Sequence, residues 1–136
     1  MCHVLIIEDE PLVAMSIQDI LTSEGATSFD IVDTEEDAVA AAAAHEPDII
    51  TSDVKLLEGT GPAAVSKIHQ RHGAIPVIFI TASPAECKPC NPPGLIVTKP
   101  FSADAITTAF HRLGRELING IPRASVFGFR LVHEPL

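Results

Sequence analysis

The chain has 136 residues, a length that fits one domain and leaves no room for a second of ordinary size. Apolar residues make up 46% and charged residues 20%, which excludes a disordered tail, a collagen-like repeat and a disulfide-stapled miniprotein. The net charge of −9 argues against nucleic acid as a partner, and no apolar run reaches the roughly 18–20 residues that span a bilayer, so no membrane is expected either. The charge is unevenly placed: residues 1–60 hold fourteen acids and one base, Lys55, whereas residues 61–136 hold four acids and eight bases. The first half is built to attract cations. An N-terminus without a basic region and a long apolar run, together with three cysteines, an odd number, predicts reduced thiols and a cytoplasmic protein.

Val4-Leu5-Ile6-Ile7 is a short, wholly apolar run, the composition of a strand covered on both faces in a parallel sheet. Val13, Ile17, Ile20 and Leu21 follow at helical spacing and stop before Gly25. Ser28-Phe29-Asp30-Ile31-Val32 is a more polar strand that suits a sheet edge. The alanine-rich stretch from Thr34 to Ala44, with Glu35, Glu36 and Asp37 in its first turn, predicts a second helix, ended by Pro47. A third strand is expected over Asp48–Ser52, a third helix over Pro62–His72 and a fourth strand over Val77–Ile80. Pro84, Pro89, Pro92, Pro93 and Gly94 then leave space for a turn or two of helix at most, since each interior proline costs about 3 kcal/mol. Leu95-Ile96-Val97 is a fifth strand, and Ser102 caps a last helix in which Ile106, Phe110, Leu113 and Leu117 repeat at 4, 3 and 4. Strand and helix alternating in this way predict right-handed crossovers and an open parallel sheet with helices on both faces.

In such a sheet, sites lie beyond the carboxyl ends of the strands. That is where the chemistry-bearing residues fall: Glu8 and Asp9 after the first strand, Asp53 after the third, Thr81 after the fourth and Lys99 after the fifth. One acid at a strand end is most often a solvated loop residue; one polar signal per strand-helix unit on a single rim is hard to attribute to surface decoration. Three carboxylates brought together repel and raise one another's pKa unless a cation neutralises them, and an all-oxygen set with few protein ligands suits hydrated Mg2+.

These residues carry a resemblance. Val4-Leu5-Ile6-Ile7-Glu8-Asp9-Glu10-Pro11, Ser52-Asp53-Val54, Ile80-Thr81-Ala82 and Lys99-Pro100-Phe101 resemble the acidic pair, phosphoacceptor, hydroxyl switch and lysine motifs of response-regulator receiver domains. The likeness covers residues 3–118. Asp53-Val54-Lys55-Leu56 with Glu58-Gly59, and Thr81-Ala82-Ser83-Pro84, are similar to receivers of the alphaproteobacterial general stress response. The resemblance implies a doubly wound five-stranded parallel sheet of flavodoxin-like order 2-1-3-4-5 with a shortened fourth helix. It also implies roles: Asp53 as phosphoacceptor, Lys99 as fixed charge on the phosphoryl oxygens, and Thr81 as the hydroxyl that follows the phosphoryl group inward. Mg2+ would be held by Glu8, Asp9, Asp53 and the backbone carbonyl of Lys55, and a cis peptide bond before Pro100 would aim the lysine. Two positions depart from the family: Leu57 stands where a proline is common, and Ile96 where an aromatic rotamer usually reports activation, so no aromatic switch is expected.

The expected function is a stand-alone receiver, residues 1–118, that takes a phosphoryl group from a sensor histidine kinase or phosphotransfer protein. It would signal by docking to a downstream protein or by draining phosphate. It would be a self-catalysing acceptor rather than a conventional enzyme. Only 18 residues follow Ile118, too few for an output domain. Within this extension, 119–136, Phe127, Phe129 and Leu131 alternate with Gly128 and Arg130, the period of a strand that would pack on a sheet edge or on a second chain, giving a homodimer. Two alternatives stand beside this reading: a non-phosphorylated interaction module, and a thiol oxidoreductase using Cys87 and Cys90 of Cys87-Lys88-Pro89-Cys90. The six histidines show no ligand spacing and are expected as surface or partly packed imidazoles.

Overall fold

The structure, a computed structural model, describes residues 1–87 and 94–120. The elements are β1 (His3–Ile7), α1 (Pro11–Ser23), β2 (Ser28–Val32), α2 (Glu35–Ala44), β3 (Ile49–Ser52), α3 (Gly61–His72), β4 (Val77–Thr81), a 3-10 turn (Pro84–Cys87), β5 (Leu95–Thr98) and α4 (Ala103–Gly120). All strand pairings are parallel, in the order β2-β1-β3-β4-β5. This is the doubly wound arrangement expected, with a 3-10 turn where a full fourth helix would begin. Cys90 with the rest of 88–93, and the alternating apolar residues beyond 120, lie outside the described residues. α4 runs two residues past the expected boundary at 118.

Burial follows the composition of each strand. β1, β3 and β4 are buried along their whole length, whereas the edge strands β2 and β5 are mostly half-buried. Two cores result. On one face Ala14, Ile17 and Leu21 of α1 and Ile106, Phe110 and Leu113 of α4 pack on Val4, Ile6, Ile78 and Ile80. On the other, Ala38 and Ala42 of α2 and Ala64, Val65 and Ile68 of α3 pack on Leu5, Ile7, Ile50, Val77 and Phe79. Burying each of the larger aliphatic side chains contributes about 1.5–3 kcal/mol. Alanine on the sheet-facing side of α2 lets that helix lie close.

Each helix starts where its sequence satisfies the free N–H groups. Thr34 Oγ1 accepts from Asp37 N at 3.1 Å, Thr60 Oγ1 from Ala63 N at 3.2 Å and Ser102 Oγ from Ala105 N at 3.1 Å. α1 has no such side-chain cap and begins on Pro11, whose missing N–H needs no partner there. Asp48 stays outside β3: its backbone N donates to His3 O at 2.8 Å and its Oδ2 accepts from His3 N at 2.7 Å. The elements therefore end in register at one rim.

Candidate functional site

The ladder between strands continues one residue past the carboxyl ends and sets the site's backbone. Asp53 N donates to Ile7 O at 2.9 Å, Glu8 N to Val32 O at 2.8 Å and Lys99 N to Thr81 O at 2.9 Å. Glu8, Asp53, Thr81 and Lys99 are thus carried on four adjacent strand ends. Glu8, Asp53 and Thr81 are buried, Asp9 and Lys99 half-buried. One carboxylate oxygen from each of Glu8, Asp9 and Asp53 lies within 4.8 Å of the others, at the edge of a cleft of about 410 Å³ between β1, β2 and the start of α2.

Lys99 ties the group together. Its Nζ donates to Asp53 Oδ2 at 3.0 Å and to Glu8 Oε2 at 3.1 Å, with Glu10 Oε2 at 3.5 Å. Burial works to lower the Lys99 pKa, but the bonds to Asp53 and Glu8 outweigh it and hold the ammonium above its ordinary value. Burial is also the main influence on Glu8; the Lys99 bond opposes it, the Asp53 charge adds to it, and the carboxyl is pushed up to about 7. Glu8 Oε1 is buried with no hydrogen-bond partner among the described residues. One lysine does not neutralise this group of carboxylates. The peptide between Lys99 and Pro100 is cis.

The other predicted residues are placed as follows. Asp53 Oδ1 accepts from Val54 N at 2.7 Å, so Oδ2 is the oxygen turned to Lys99. Thr81 Oγ1 accepts from Ser83 N at 3.0 Å, the local bond typical of a strand-end hydroxyl, and its O–H remains available to donate. Lys55 sends its Nζ away to Glu86 Oε2 at 3.2 Å, both side chains exposed, so only its backbone faces the loop after Asp53. Ile96 is half-buried against the core that contains Phe79, with no polar group to move. Leu57 is exposed in the loop that a proline commonly stiffens.

Three contributors were not visible from spacing. Gly61 N donates to Val54 O at 2.8 Å, and a Cβ there would collide with the Asp53 carbonyl oxygen and Ser52 Oγ, so α3 can start against the acceptor's backbone only through a glycine. Ser52 Oγ donates to Asp53 O at 2.8 Å, fixing the same peptide. Glu10 N donates to Glu8 Oε2 at 3.2 Å, which orients the buried carboxylate. The only sequence signal for Gly61 is its place between a helix cap, Thr60, and a first-turn proline, Pro62.

An open α/β sheet in order 2-1-3-4-5 with an acidic group, a threonine and a lysine converging on one carboxyl-end rim is the build of a receiver. Residues 4–111 match the family of the response regulator receiver domain, and the chain belongs to that family. It is 35% identical over 103 residues to the phyllosphere-induced regulator PhyR of Methylorubrum extorquens, a match that takes in 73% of this chain and 38% of PhyR. The chain therefore spans well under half the length of that relative. The receiver domain of the Erythrobacter litoralis PhyR response regulator superposes with a TM-score of 0.74 at 34% identity, over 82% of this chain and 88% of that one. The receiver domain of a sensor histidine kinase from Pseudomonas aeruginosa, solved with a magnesium ion coordinated in the active-site cleft, gives a TM-score of 0.71 at 25% identity, over 82% and 95% of the two chains. The likeness to receivers of the general stress response seen in the motifs is thus shared by PhyR in sequence and in fold. No helix of the described residues is long and apolar enough to cross a membrane.

Proposed function

We propose that this receiver accepts a phosphoryl group on Asp53 Oδ2 from a phosphohistidine of a sensor kinase or phosphotransfer protein. The donor's N–P bond breaks as the Asp53 O–P bond forms, and the electron pair returns to the imidazole. The observation that carries this reading is the position of Lys99 Nζ, 3.0 Å from Asp53 Oδ2 and 3.1 Å from Glu8 Oε2, where it also reaches oxygens of a group attached to Asp53. Glu8, Asp9, Asp53 and the Lys55 carbonyl are the residues that would hold Mg2+. The fit rests on their all-oxygen character and on Glu8 Oε1, a buried acceptor with nothing to accept from. When bound, Mg2+ neutralises charge on the transferring oxygens.

Thr81 turns the covalent step into a change of surface. Its O–H can leave the Ser83 contact and donate to a phosphoryl oxygen, and the bond from Lys99 N to Thr81 O makes the ends of β4 and β5 move as one. The signal then reaches the open groove of about 770 Å³ between β5 and α4, lined by Leu95, Ile96, Pro100, Phe101 and Ala105 among others, where a downstream protein would dock. A cytoplasmic location follows from a kinase as donor.

Intact mass after acetyl phosphate and Mg2+ tests this. One phosphoryl group on the parent and none on Asp53→Ala is expected. No addition to the parent, or equal addition to the variant, refutes it and returns the chain to a non-phosphorylated interaction module.

A further inference from the structure

At the opposite end of the sheet, three side chains from separate elements meet. His3 opens β1 and is buried, Asp30 lies half-buried in β2, and His45, exposed, caps the C-terminus of α2. His3 Nε2 is 3.0 Å from Asp30 Oδ2, and His3 Nδ1 is 2.7 Å from Ser28 Oγ. The His45 ring stacks on the His3 ring, 3.6 Å between centroids and 10° between planes. One donor atom from each of His3, Asp30 and His45 falls within 4.8 Å of the other two.

We infer that His3, Asp30 and His45 form a binding site for a divalent transition ion of the zinc class. Two imidazoles and a carboxylate are a donor set that favours Zn2+ or Ni2+ over Mg2+, with water filling the remaining positions. The contact between His3 Nδ1 and Ser28 Oγ is the outer-shell bond that such a ligand needs: it fixes the ring and, with the proton on Nδ1, leaves the Nε2 lone pair bare. In that tautomer Nε2 and Asp30 Oδ2, 3.0 Å apart, are two donor atoms that one ion can bridge; in the other, Nε2–H donates to Asp30 Oδ2. A tetrahedral ion at about 2.1 Å from each ligand would hold them roughly 3.4 Å apart, so the pair would open by a few tenths of an ångström to take it. His3 cannot drift, because its backbone N is held by Asp48 Oδ2 at 2.7 Å. His45 is exposed and can turn a ring nitrogen from the stack toward the ion, which supplies the closure that the site needs. The acidic first sixty residues raise the local concentration of cations.

This site is independent of the phosphoacceptor rim. Glu8 lies five positions along the chain from His3, roughly 16 Å at about 3.3 Å per residue. An ion bound here would clamp the start of β1 to β2 and to the end of α2. A proton on Nε2 is the competing occupant.

The test is a Zn2+ titration of the whole chain with Mg2+ saturating, read by calorimetry and by the imidazole nitrogen resonances of His3 and His45. One Zn2+ is expected to move both resonances and raise the melting temperature. His45→Ala, a change at an exposed position that leaves the fold intact, and Asp30→Asn should each weaken binding at least about tenfold. A Cys87→Ser/Cys90→Ser chain should bind as the parent does. Zn2+ that leaves both resonances in place, equal affinity in the two ligand variants, or resonances that follow pH and ignore Zn2+ would overturn the inference.

Discussion

Replacing the buried Glu8 by glutamine is expected to stabilise the metal-free protein by an amount that grows as pH rises above about 4.5 and is complete above about 7. Glu8 has its pKa raised from 4.5 to about 7, chiefly by burial, with the Lys99 bond opposing and the Asp53 charge adding. Below about pH 4.5 the carboxyl is protonated folded and unfolded, and it costs nothing. As pH rises from 4.5 to 7 the unfolded chain releases the proton while the fold retains it, so the parent loses stability; above 7 the loss is complete. At about 1.36 kcal/mol per pH unit the displacement amounts to roughly 3 kcal/mol. Glu8→Gln mimics the protonated form: it keeps an acceptor for Lys99 and removes the titration. Urea unfolding in EDTA at pH 4.5, 6, 7 and 8 should show parent and variant alike at the lowest pH and the variant ahead by up to about 3 kcal/mol at the highest. Adding Mg2+ at pH 8 should raise the parent more than the variant and close the gap. A difference that stays flat with pH, or a parent more stable than the variant at pH 8 in EDTA, would refute the account of an under-neutralised carboxylate.

The remaining predictions probe the other supports. Asp9→Asn should weaken Mg2+ binding by about tenfold or more in a calorimetric titration, because few protein ligands share the ion; unchanged affinity would show that Asp9 is no ligand. Gly61→Ala should cost about 1–3 kcal/mol in urea unfolding and slow phosphorylation of Asp53, since the added methyl can be housed only by moving the Asp53 peptide; a variant with parental stability would mean that α3 starts elsewhere. Removing residues 121–136 tests the homodimer that the alternation of Phe127, Phe129 and Leu131 in the sequence suggests: a lower molecular mass in solution is expected, and an unchanged mass would refute it.

The fold and the gathering of these side chains on one rim were legible in the sequence for one shared reason. In a parallel sheet the strand sets both layers: runs such as Val4–Ile7 and Val77–Ile80 identify strands buried on both faces, and whatever follows them must sit on one rim. Glu8, Asp53, Thr81 and Lys99 could be gathered without knowing any distance, because each stands at or just past the carboxyl end of its own strand. Burial on both sides also predicted that β2, with Asp30 inside it, would lie at an edge, as it does. What spacing could not reach depends on register between strands and helices. Gly61 matters because α3 starts against the Asp53 peptide, and no count of residues announces that approach.

The histidines make the same point at the other end of β1. The pairing of His3 with Ser28 brings Ser28 Oγ and Asp30 to the two nitrogens of one ring, and the extended backbone of His45, two residues before Pro47, lays a second ring on the first. Ligands at helical or turn spacing are not found there, because the three residues come from three elements, two joined by sheet register and the third brought in by the end of α2. β1 thus carries a contiguous signal, Glu8-Asp9, at its carboxyl end and a dispersed one at its amino end. The rule that sites follow the carboxyl ends of strands finds the first and, by construction, passes over the second.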